Sequence, residues 1–438
     1  MVVKAPRGTE DLIGPDSIAW QKMQQTAVDV FSKYGYSFVE TPLFEQQDVF
    51  VRGLGEATDV VDKEMFHVLS NDAYAKVSGN VPLKEAQNLS LRPEGTAGVV
   101  RAAIEHNLVP QGGAAVKLMY AGPMFRCERP QKGRLRQFHQ IGAECLGAGD
   151  PTADAEMIVM LVRFFEAMGV ERGSVKLLIN SMGDDACRPA YRESVRQYIH
   201  NYSDELCDDC NRRADVNPLR AFDCKNERCS QVMEGAPKIS DNLCDDCREH
   251  YEAVKHYLDL DGIAYVEDPK LVRGLDYYTR TVFEIQVIDG LGAQNAIGGG
   301  GRYDKLSQVM GGKAMPGIGF ALGYERTYLA LQASGIGYEI EPACDVYVAV
   351  VDATCDDAAF SLVQQLRDSG IKADRDHQGR SLKSQFKQAD KTGCRVVVIV
   401  GPDELEEGVA TVRDMQTHEE HKVTLDSVAV SVGRDLAG

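Results

Sequence analysis

Two strand-like segments on either side of a short basic segment constrain the fold more than any other feature of this sequence. Polar and apolar residues alternate in AAVKLMYAGPMFRCE (114–128) and again in RQFHQIGAECLG (136–147), a pattern that predicts β-strands. The residues between them predict a hairpin loop, so we expect the two strands to be neighbours in a sheet. Since side chains four positions apart share one face of a strand, Gln140 and Glu144 are predicted to point to the same side.

The predicted loop has the opposite charge to the whole chain. The formal net charge is -18 at pH 7, whereas five cationic residues crowd between positions 126 and 136. One interpretation is a solvated loop. The other is a binding site, because we place Arg126 and Glu128 on the strand itself, where a charge needs a partner. Arginine on a rigid element suits bidentate capture of phosphate or carboxylate, and Phe138 would suit stacking on a base.

Bulk composition limits the class of protein. A chain of 438 residues is expected to form two or three domains. We find no apolar run long enough for a membrane span and no secretory signal at the start. We therefore expect a cytoplasmic protein with no membrane partner, whose 12 cysteines are reduced and either bind metal or are buried. A pI near 5.0 excludes a protein that coats nucleic acid indiscriminately but allows a local basic patch.

The order of segments predicts an α+β chain whose main domain is interrupted by an insertion. Helical periodicity predicts helices at 18–34 and 152–168. From residue 187 the composition shifts to cysteines and acidic residues, and after residue 342 strand and helix alternate, which is typical of an α/β domain with a mostly parallel sheet. The predicted boundaries are 1–186 and 261–335 for the two parts of the main domain, 187–260 for the cysteine-rich insertion, 336–342 for a linker and 343–438 for the last domain.

The insertion contains the sequence LCDDC twice, at 206–210 and 243–247. Each copy supplies a Cys-x-x-Cys pair, and two such pairs are how four thiolates reach a tetrahedral zinc ion. Buried free thiols in a subdomain that folds without metal are a second interpretation, and a redox pair is a third. The predicted zinc ligands are Cys207, Cys210, Cys244 and Cys247, with Cys224 and Cys229 as alternates between the two pairs.

Two glycine-containing segments also suit a binding site. In LRPEGTAGVVRA, Glu94 and Thr96 stand at a predicted helix start. An acid there either stabilises the helix dipole or grips an ammonium group. The run GGGG at 298–301 predicts a turn where the backbone closely approaches a ligand or another strand.

The segment RGLDYYTRTVFE brings one cation and two phenols close together. These are Arg273, Tyr277 and Tyr278. Tyrosines are often half-buried core residues with a satisfied hydroxyl, so the segment by itself allows either a structural or a binding role.

Taken in order, these segments resemble the class II aminoacyl-tRNA synthetases, and among them the histidyl-tRNA synthetase family. The resemblance covers nearly the whole chain. FRCERPQKGRLRQFHQIGAE resembles motif 2, GIGFALGYERTYLAL resembles motif 3, and LVRGLDYYTRTVFE is similar to the histidine signature. LRPEGTAG, GGGRYDKL and ETPLFE add further matches. The implied fold is an antiparallel-sheet catalytic core of the class II type, with a cysteine-rich insertion and a C-terminal anticodon-binding domain.

The resemblance implies an activity and its partners. A member of this family would activate L-histidine with ATP and Mg²⁺ to histidyl-adenylate. It would then transfer histidine to the 3′ end of tRNA(His), releasing AMP and diphosphate. ETPLFE, with Pro42, resembles motif 1, which builds the dimer interface in the family and implies a homodimer. The residues of the last domain that would face the tRNA are Arg375, His377, Arg380, Lys383 and Lys387.

Roles for single residues follow from the same resemblance. The implied catalytic residues are Arg126 and Arg273, beside the α-phosphate, and Arg326, on the γ-phosphate. Further ATP contacts would come from Glu128, Arg134 and Phe138, the last stacked on adenine. The implied histidine-binding residues are Glu94, Thr96 and Gln140 for the α-amino group, Arg126 and Arg273 for the carboxylate, and Glu144, Tyr277 and Tyr278 for the imidazole. The implied contacts to the acceptor end of the tRNA are Arg129, Gln131, Lys132 and Arg136.

Two other functions fit parts of the sequence. The regulatory subunit of ATP phosphoribosyltransferase is a synthetase paralogue, but it would be expected to lack the last domain and the signature arginines, which this chain keeps. A non-catalytic, zinc-dependent RNA-binding module would use the cysteine pairs and the basic loop. It would leave Glu94, Gln140 and Glu144 without a role.

Overall fold

The computed structural model describes residues 2–55, 58–110, 112–224, 226–273, 275, 277–288, 295–337 and 342–437. Residues 338–341 of the predicted linker lie outside the described residues. The chain divides into two compact units, residues 1–338 and 339–438. Within the described ranges, every helix is too short or too polar to cross a lipid bilayer.

Two sheets form the framework of the first unit. Its described strands are β1 (Ser37–Phe38), β2 (Phe44–Gln46), β3 (His67–Val68), β4 (Leu89–Leu91), β5 (Val116–Phe125), β6 (Gln137–Leu146), β7 (Val175–Ser181), β8 (Val266–Glu267), β9 (Thr279–Val287), β10 (Ala296–Arg302) and β11 (Gly317–Gly323). The large sheet has the order β1-β5-β6-β11-β10-β9-β7-β8, and β2-β4-β3 form a small one. Neighbours in the large sheet are antiparallel except for the edge pairs β1–β5 and β7–β8. The predicted antiparallel core is confirmed.

Helices cover one face of the large sheet and build the insertion. The described helices of this unit are α1 (Pro15–Phe31), α2 (Gln47–Leu54), α3 (Asn71–Ser78), α4 (Thr96–Glu105), α5 (Pro151–Ala167), α6 (Arg188–Asn201), α7 (Asp208–Val216), α8 (Glu227–Met233), α9 (Asp245–Leu260), α10 (Leu306–Val309) and α11 (Tyr324–Ala333). The helices predicted at 18–34 and 152–168 are α1 and α5. Helix α5 starts slightly earlier than predicted, because the side chain of Asp150 caps it by accepting the Thr152 amide at 2.9 Å.

The β5–β6 hairpin is confirmed in full register, from Val116 opposite Leu146 to Phe125 opposite Gln137. Strand β5 ends at Phe125, so the placement of Arg126 and Glu128 on the strand was wrong. One further bond joins the Arg126 amide to the Arg136 carbonyl at 2.8 Å, and the pairing stops beyond it because the Cys127 amide donates to the Glu64 carbonyl, at 2.6 Å.

The large sheet has one packed face and a second face that is open only in part, because Val99 and Val100 of α4 pack there against β5 and β6. Ile141 of β6 and Phe320 of β11 join the hydrophobic core beneath α1 and α5. Because strand side chains alternate, Gln140 and Glu144 point to the other face, where Gly319 pairs with Glu144. A ligand can therefore reach the backbone on the open part of this face.

The GGGG run is part of the central strand β10, so the predicted turn was wrong, whereas the predicted close approach of the backbone is confirmed. A Cβ atom on Gly300 would lie 1.9 Å from the Gly319 carbonyl oxygen, and one on Gly301 would lie 2.6 Å from that of Thr281. Any larger side chain would push the neighbouring strands apart.

A buried ion network joins β10 to two helices. The guanidinium of Arg302 and the carboxylate of Asp154 are fully buried and paired, and Arg302 also bonds Asp304 at 3.0 Å. His250 of α9 lies 2.8 Å from the same Asp154 carboxylate. These partners hold the pKa of Asp154 below its ordinary value despite burial. The arginine of GGGRYDKL is thus a structural residue.

The second unit is a sheet covered by helices. Its described elements are β12 (Val346–Val350), α12 (Asp356–Asp368), β13 (Ala373–Arg375), α13 (Leu382–Thr392), β14 (Val396–Val400), α14 (Pro402–Glu407), β15 (Val409–Asp414), β16 (Glu420–Thr424) and α15 (Val428–Ala437). The strand order is β13-β12-β14-β15-β16. The first three strands are parallel and the last two antiparallel, so the sheet is more evenly mixed than predicted. Cys344 and Cys394 form a disulfide, so the expectation that all 12 cysteines are reduced was wrong for this pair.

Candidate functional site

A cavity of about 300 Å³ opens on the part of the second face of the large sheet that α4 leaves uncovered. The β5–β6 hairpin, β9, β10, β11 and the start of α11 border it. Glycines form part of its floor: a Cβ atom on Gly319 would lie 1.7 Å from Glu144 Oε2, and one on Gly299 would lie 2.8 Å from Arg273 Nη1. The predicted residues that line the cavity are Glu94, Thr96, Arg126, Glu128, Arg134, Phe138, Gln140, Arg273, Tyr277, Tyr278 and Arg326.

Arg126 is held between backbone and an aromatic ring. Its Nε donates to the Pro93 carbonyl at 3.0 Å, and its guanidinium carbon lies 5.2 Å from the centre of the Phe138 ring. The guanidinium also lies 4.0 Å from the carboxylate of Glu128, which forms a closer ion pair with Arg134 at 2.7 Å. The guanidinium is therefore oriented before any ligand binds.

Arg273 pairs with a carboxylate that the sequence analysis missed. Its Nη1 donates to Glu284 Oε2 at 2.6 Å, and Glu284 also lines the cavity. In the described part of the chain, Arg273 Nε and Gln140 Oε1 are buried without a hydrogen-bond partner. Unpaired buried polar atoms are costly, so both suit contacts with a ligand. The position of an acid inside the strand-like TRTVFEIQV was the available signal for Glu284.

Arg326, at the start of α11, completes the positive lining. It donates to the carbonyls of Gly133 and Ala296, both at 3.4 Å. Burial, with the nearby charge of Arg134, lowers the pKa of Arg326, although an arginine stays charged. An anionic ligand would relieve the repulsion between these guanidinium groups.

Glu94 caps the N-terminus of α4. Its two carboxylate oxygens accept the amides of Thr96 and Ala97, each at 2.8 Å. Burial raises the pKa of Glu94, while these two amides and the charge of Arg126 oppose the rise. The structural interpretation made from the sequence is thus correct, and the carboxylate also borders the cavity.

Glu144 lies directly beneath the cavity floor, fully buried. Its Oε1 accepts the Thr96 hydroxyl at 2.7 Å, its Oε2 accepts the Tyr303 hydroxyl, and Tyr120 contributes a longer bond of 3.4 Å. Burial raises the pKa of Glu144 to about 8, although the Tyr303 and Thr96 hydroxyls oppose the shift. Tyr303 and Tyr120 were not predicted as site residues; GGGRYDKL pointed to the first, and nothing in the sequence pointed to the second.

Three tyrosine rings form one wall. Tyr277 and Tyr278 lie 4.5 Å apart between ring centres, and Tyr277 and Tyr303 lie 5.6 Å apart. All three line the cavity. The wall is therefore polarisable and carries several hydroxyl groups above Glu144.

The basic loop lines the cavity with Arg126, Glu128 and Arg134, while its other charged side chains lie outside the cavity. Arg129, Gln131 and Lys132 are exposed, whereas Arg136 is half-buried and its amide donates to the Gly8 carbonyl at 2.7 Å. His139 contacts Glu325 at 3.1 Å. In the second unit, Lys383 and Lys387 are exposed on α13, His377 is exposed, and Arg375 and Arg380 pair with acids.

The structure does not bring the four predicted zinc ligands together. Among the described residues, two groups place their donor atoms within 4.8 Å of one another. Cys207 and Cys210 meet the two alternates, Cys224 and Cys229. The second group contains the other predicted pair, Cys244 and Cys247. Its other two members, Asp184 and Cys187, were not predicted.

Comparisons with known proteins agree with this geometry. The family model described as histidyl-tRNA synthetase matches residues 8–327, and the model described as anticodon binding domain matches residues 345–432. The histidine–tRNA ligase of Halothermothrix orenii is 48% identical to this chain, and the match covers 97% of each sequence. That of Desulforudis audaxviator is 46% identical, and the match covers 100% of each sequence. The crystal structure of apo S. aureus histidyl-tRNA synthetase covers 98% of this chain, and the chain covers all of that structure, with 36% identity and a TM-score of 0.81.

The antiparallel sheet, the arginine-lined cavity and the separate C-terminal domain define a class II aminoacyl-tRNA synthetase fold. With matches over almost its entire length, the chain belongs to the histidyl-tRNA synthetase family.

Proposed function

We propose that this chain is a histidine–tRNA ligase, which activates L-histidine with ATP and then transfers it to tRNA(His). The observation that carries the proposal is the mixture of charges around one cavity. Glu94 borders it and Glu144 lies beneath it, while four guanidinium groups line it. A zwitterionic amino acid and a polyphosphate together need such a mixture. Full-length relatives are named histidine–tRNA ligase, which favours this function over that of a phosphoribosyltransferase regulatory subunit.

In the first step, a carboxylate oxygen of histidine forms a bond to the α-phosphorus of ATP. The bond from that phosphorus to the oxygen bridging to the β-phosphate breaks, and diphosphate leaves. Arg126 and Arg273 would bind the carboxylate and the α-phosphate, and Arg326 the γ-phosphate. Fixed guanidinium groups stabilise the charge that develops at phosphorus. Mg²⁺ enters with ATP as part of the substrate and screens its phosphates. Glu128 and Arg134 would contact ATP, and Phe138 would stack on adenine.

The selection of histidine would depend on Glu144 and the tyrosine wall. We assign the α-amino group to Glu94, Thr96 and Gln140. The imidazole nitrogens would bond Glu144 and Tyr278, with Tyr277 in support. An amino acid without these two nitrogens would leave buried polar groups unpaired, which rejects an analogue by roughly 10⁴-fold.

In the second step, a ribose hydroxyl at the 3′ end of tRNA(His) forms an ester bond to the carbonyl carbon of the adenylate. The bond from that carbon to the phosphate oxygen breaks, AMP leaves, and the hydroxyl proton is released. Arg129, Gln131, Lys132 and Arg136 would contact the acceptor end, and the exposed cations of the second unit would contact the anticodon region. Salt-dependent affinity is expected, because such contacts release counterions from the phosphates.

We also propose a homodimer. Phe38, Leu43 and Phe44, in and before ETPLFE, are 48%, 43% and 51% exposed. Exposed apolar side chains this close together mark an interaction surface. A solution mass that stays at one chain across all concentrations would contradict the dimer.

The insertion is proposed to hold a structural zinc ion at Cys207, Cys210, Cys224 and Cys229. A tetrahedron with Zn–S bonds of about 2.3 Å places its sulfurs roughly 3.8 Å apart. Cys207 and Cys224 have their sulfurs 3.8 Å apart. The Cys207 amide points at the Cys229 sulfur, at 3.2 Å, which is the way that backbone groups stabilise thiolate ligands.

The decisive experiment for the function is ATP–pyrophosphate exchange across a panel of amino acids. Exchange with histidine alone is expected, followed by formation of histidyl-tRNA when tRNA(His) is added. Absence of exchange with every amino acid, from folded protein with Mg²⁺, would favour the regulatory paralogue instead.

A further inference from the structure

A second group of metal-type ligands lies at the base of the insertion, outside the candidate active site. Cys187 and Cys247 are buried, with 5% and 1% of their surface exposed, and Asp184 and Cys244 are half-buried. Their four donor atoms lie within 4.8 Å of one another. All three cysteines are free thiols.

We propose that Asp184, Cys187, Cys244 and Cys247 bind a second structural Zn²⁺ ion, separate from the ion proposed at Cys207, Cys210, Cys224 and Cys229. With Zn–S bonds of about 2.3 Å and Zn–O bonds of about 2.1 Å, a tetrahedral site places oxygen and sulfur ligands roughly 3.6 Å apart. Asp184 Oδ1 lies 3.7 Å from the sulfur of Cys187 and 3.7 Å from that of Cys244. Three thiolates with one carboxylate select zinc over the hard cations Mg²⁺ and Ca²⁺.

The surroundings of this group compensate the negative charge that zinc and its four anionic ligands would carry together. Cys187 and Cys244 are the residues immediately before α6 and α9, where helix dipoles favour a thiolate. The Asp184 amide points at the Cys187 sulfur, at 3.4 Å. These features repeat those around Cys207, which precedes α7.

Arg280 supplies a cationic partner to the carboxylate. Its Nη2 donates to Asp184 Oδ2 at 3.3 Å, which leaves Oδ1 directed toward the sulfurs. Arg280 has a φ of 50°, a conformation that costs a residue with a side chain. Two backbone hydrogen bonds hold Arg280 in this conformation. The Arg280 amide donates to the Gly183 carbonyl at 2.8 Å, and the Arg280 carbonyl accepts the Met182 amide at 2.6 Å. Metal ligands that are carboxylates are commonly oriented by such a second partner.

The group also lies next to the segment that carries the tyrosine wall. Arg188, the first residue of α6, donates from Nη1 to the Tyr278 carbonyl at 2.7 Å, and Arg280 is two residues beyond Tyr278. An ion that joins Asp184 and Cys187 to the start of α9 would therefore fix the base of the insertion against this wall. Removal of the ion is expected to weaken histidine binding without removing any group that touches the substrate.

Metal analysis of the full chain tests the proposal. Protein without a histidine tag, purified in the absence of chelators and dialysed against metal-free buffer, is expected to contain two zinc ions per chain. Cys187→Ser is expected to lose one, Cys224→Ser to lose the other, and the double variant to lose both. Cys127→Ser, at an exposed cysteine outside both groups, is the control and keeps two. Asp184→Cys, which restores a fourth ligand, also keeps two, whereas Asp184→Ala loses one.

A second measurement on unmodified protein removes the risk that a variant misfolds. Native alkylation followed by peptide mass mapping should find Cys187, Cys244 and Cys247 protected until a chelator is added, whereas Cys127 reacts at once. A zinc content that is the same in Cys187→Ser as in the original chain would overturn the proposal. Chelator-independent reactivity of these cysteines, or a Cys244–Cys247 disulfide, would do the same. Histidine-dependent exchange with a single zinc would leave the proposed function standing and refute only the second centre.

Discussion

Replacement of Glu144 by glutamine separates the stability of this fold from its proposed activity. The Glu144 carboxyl is fully buried, and burial raises its pKa from an ordinary 4.5 to about 8. The folded chain therefore binds this proton more tightly than the unfolded chain does. At low pH the proton is bound in both states, so Glu144 has no effect on the free energy of unfolding. As the pH rises from 4.5 towards 8, only the unfolded chain loses the proton, and the folded state is progressively destabilised relative to it.

The size of this effect follows from the two pKa values. Between about pH 5 and about pH 8, the linkage relation gives a loss of roughly 3 kcal/mol from this one group. Glutamine has nearly the same shape and never ionises, so Glu144→Gln escapes the loss. The free energy of unfolding of the variant, relative to the original chain, should rise by about that amount over the same interval. Histidine-dependent exchange should fall by about 10²-fold or more, because glutamine replaces one carboxyl oxygen by an NH2 group, which cannot accept a hydrogen bond.

Urea unfolding of both proteins at a series of pH values measures the difference directly, because contributions from all other groups cancel. Glu10→Gln, at an exposed glutamate, serves as the control for the loss of a carboxylate that is not buried. If the difference for Glu144→Gln does not vary with pH, the carboxyl is not held protonated by burial, which contradicts the prediction. A variant with unchanged exchange would instead remove Glu144 from histidine recognition.

Three further substitutions test other parts of the site and its support. Arg273→Ala should lower the exchange rate by about 10²-fold, the cost of ~3 kcal/mol for one lost donor, with little change in melting temperature; unchanged exchange would refute its role. Asp154→Ala should destabilise the fold by about 3–5 kcal/mol in urea unfolding, because it removes the fully buried carboxylate partner of Arg302 and leaves that guanidinium with only the half-buried Asp304 among the carboxylates that the structure describes; a loss under about 1 kcal/mol would contradict this. Gly319→Ala should lower the melting temperature, since its Cβ atom would overlap Glu144, whereas Gly323→Ala, with nothing within 4 Å of its Cβ atom, should not.

Local patterns carried most of what could be predicted about the fold. The β5–β6 hairpin follows from alternation over neighbouring residues, and its register then places Gln140 and Glu144 on one face without further information. The GGGG run failed as a turn because glycine propensity is a local signal. The strand there is imposed by tertiary contacts, namely the backbones of β9 and β11 at distances that only glycine permits.

The candidate site was predictable where its residues lie in recognisable segments and not where they act through another residue. Arg126, Arg273 and Gln140 were found from such segments and do line the cavity. Tyr120 and Glu284 were missed, since each is one polar residue inside an ordinary strand, and only the folded sheet reveals what it bonds. The position of a residue in a strand predicts which face of the sheet its side chain points to. It does not predict a hydrogen-bond partner 24 residues away, as for Tyr120 and Glu144, or 11 residues away, as for Glu284 and Arg273.

The grouping of the cysteines shows why spacing alone selected the wrong set. Both Cys-x-x-Cys pairs have the same local sequence, so spacing offers no reason to keep them apart. An inserted segment, however, must leave and rejoin the sheet at nearby points: here it leaves β7, and α9 returns the chain to β8, the parallel neighbour of β7. A pair at the exit from the sheet, Asp184 with Cys187, therefore meets the pair near the return, and the inner pairs meet each other. This nesting follows from chain connectivity, and the exit pair was overlooked because its aspartate lies before residue 187, the predicted start of the insertion.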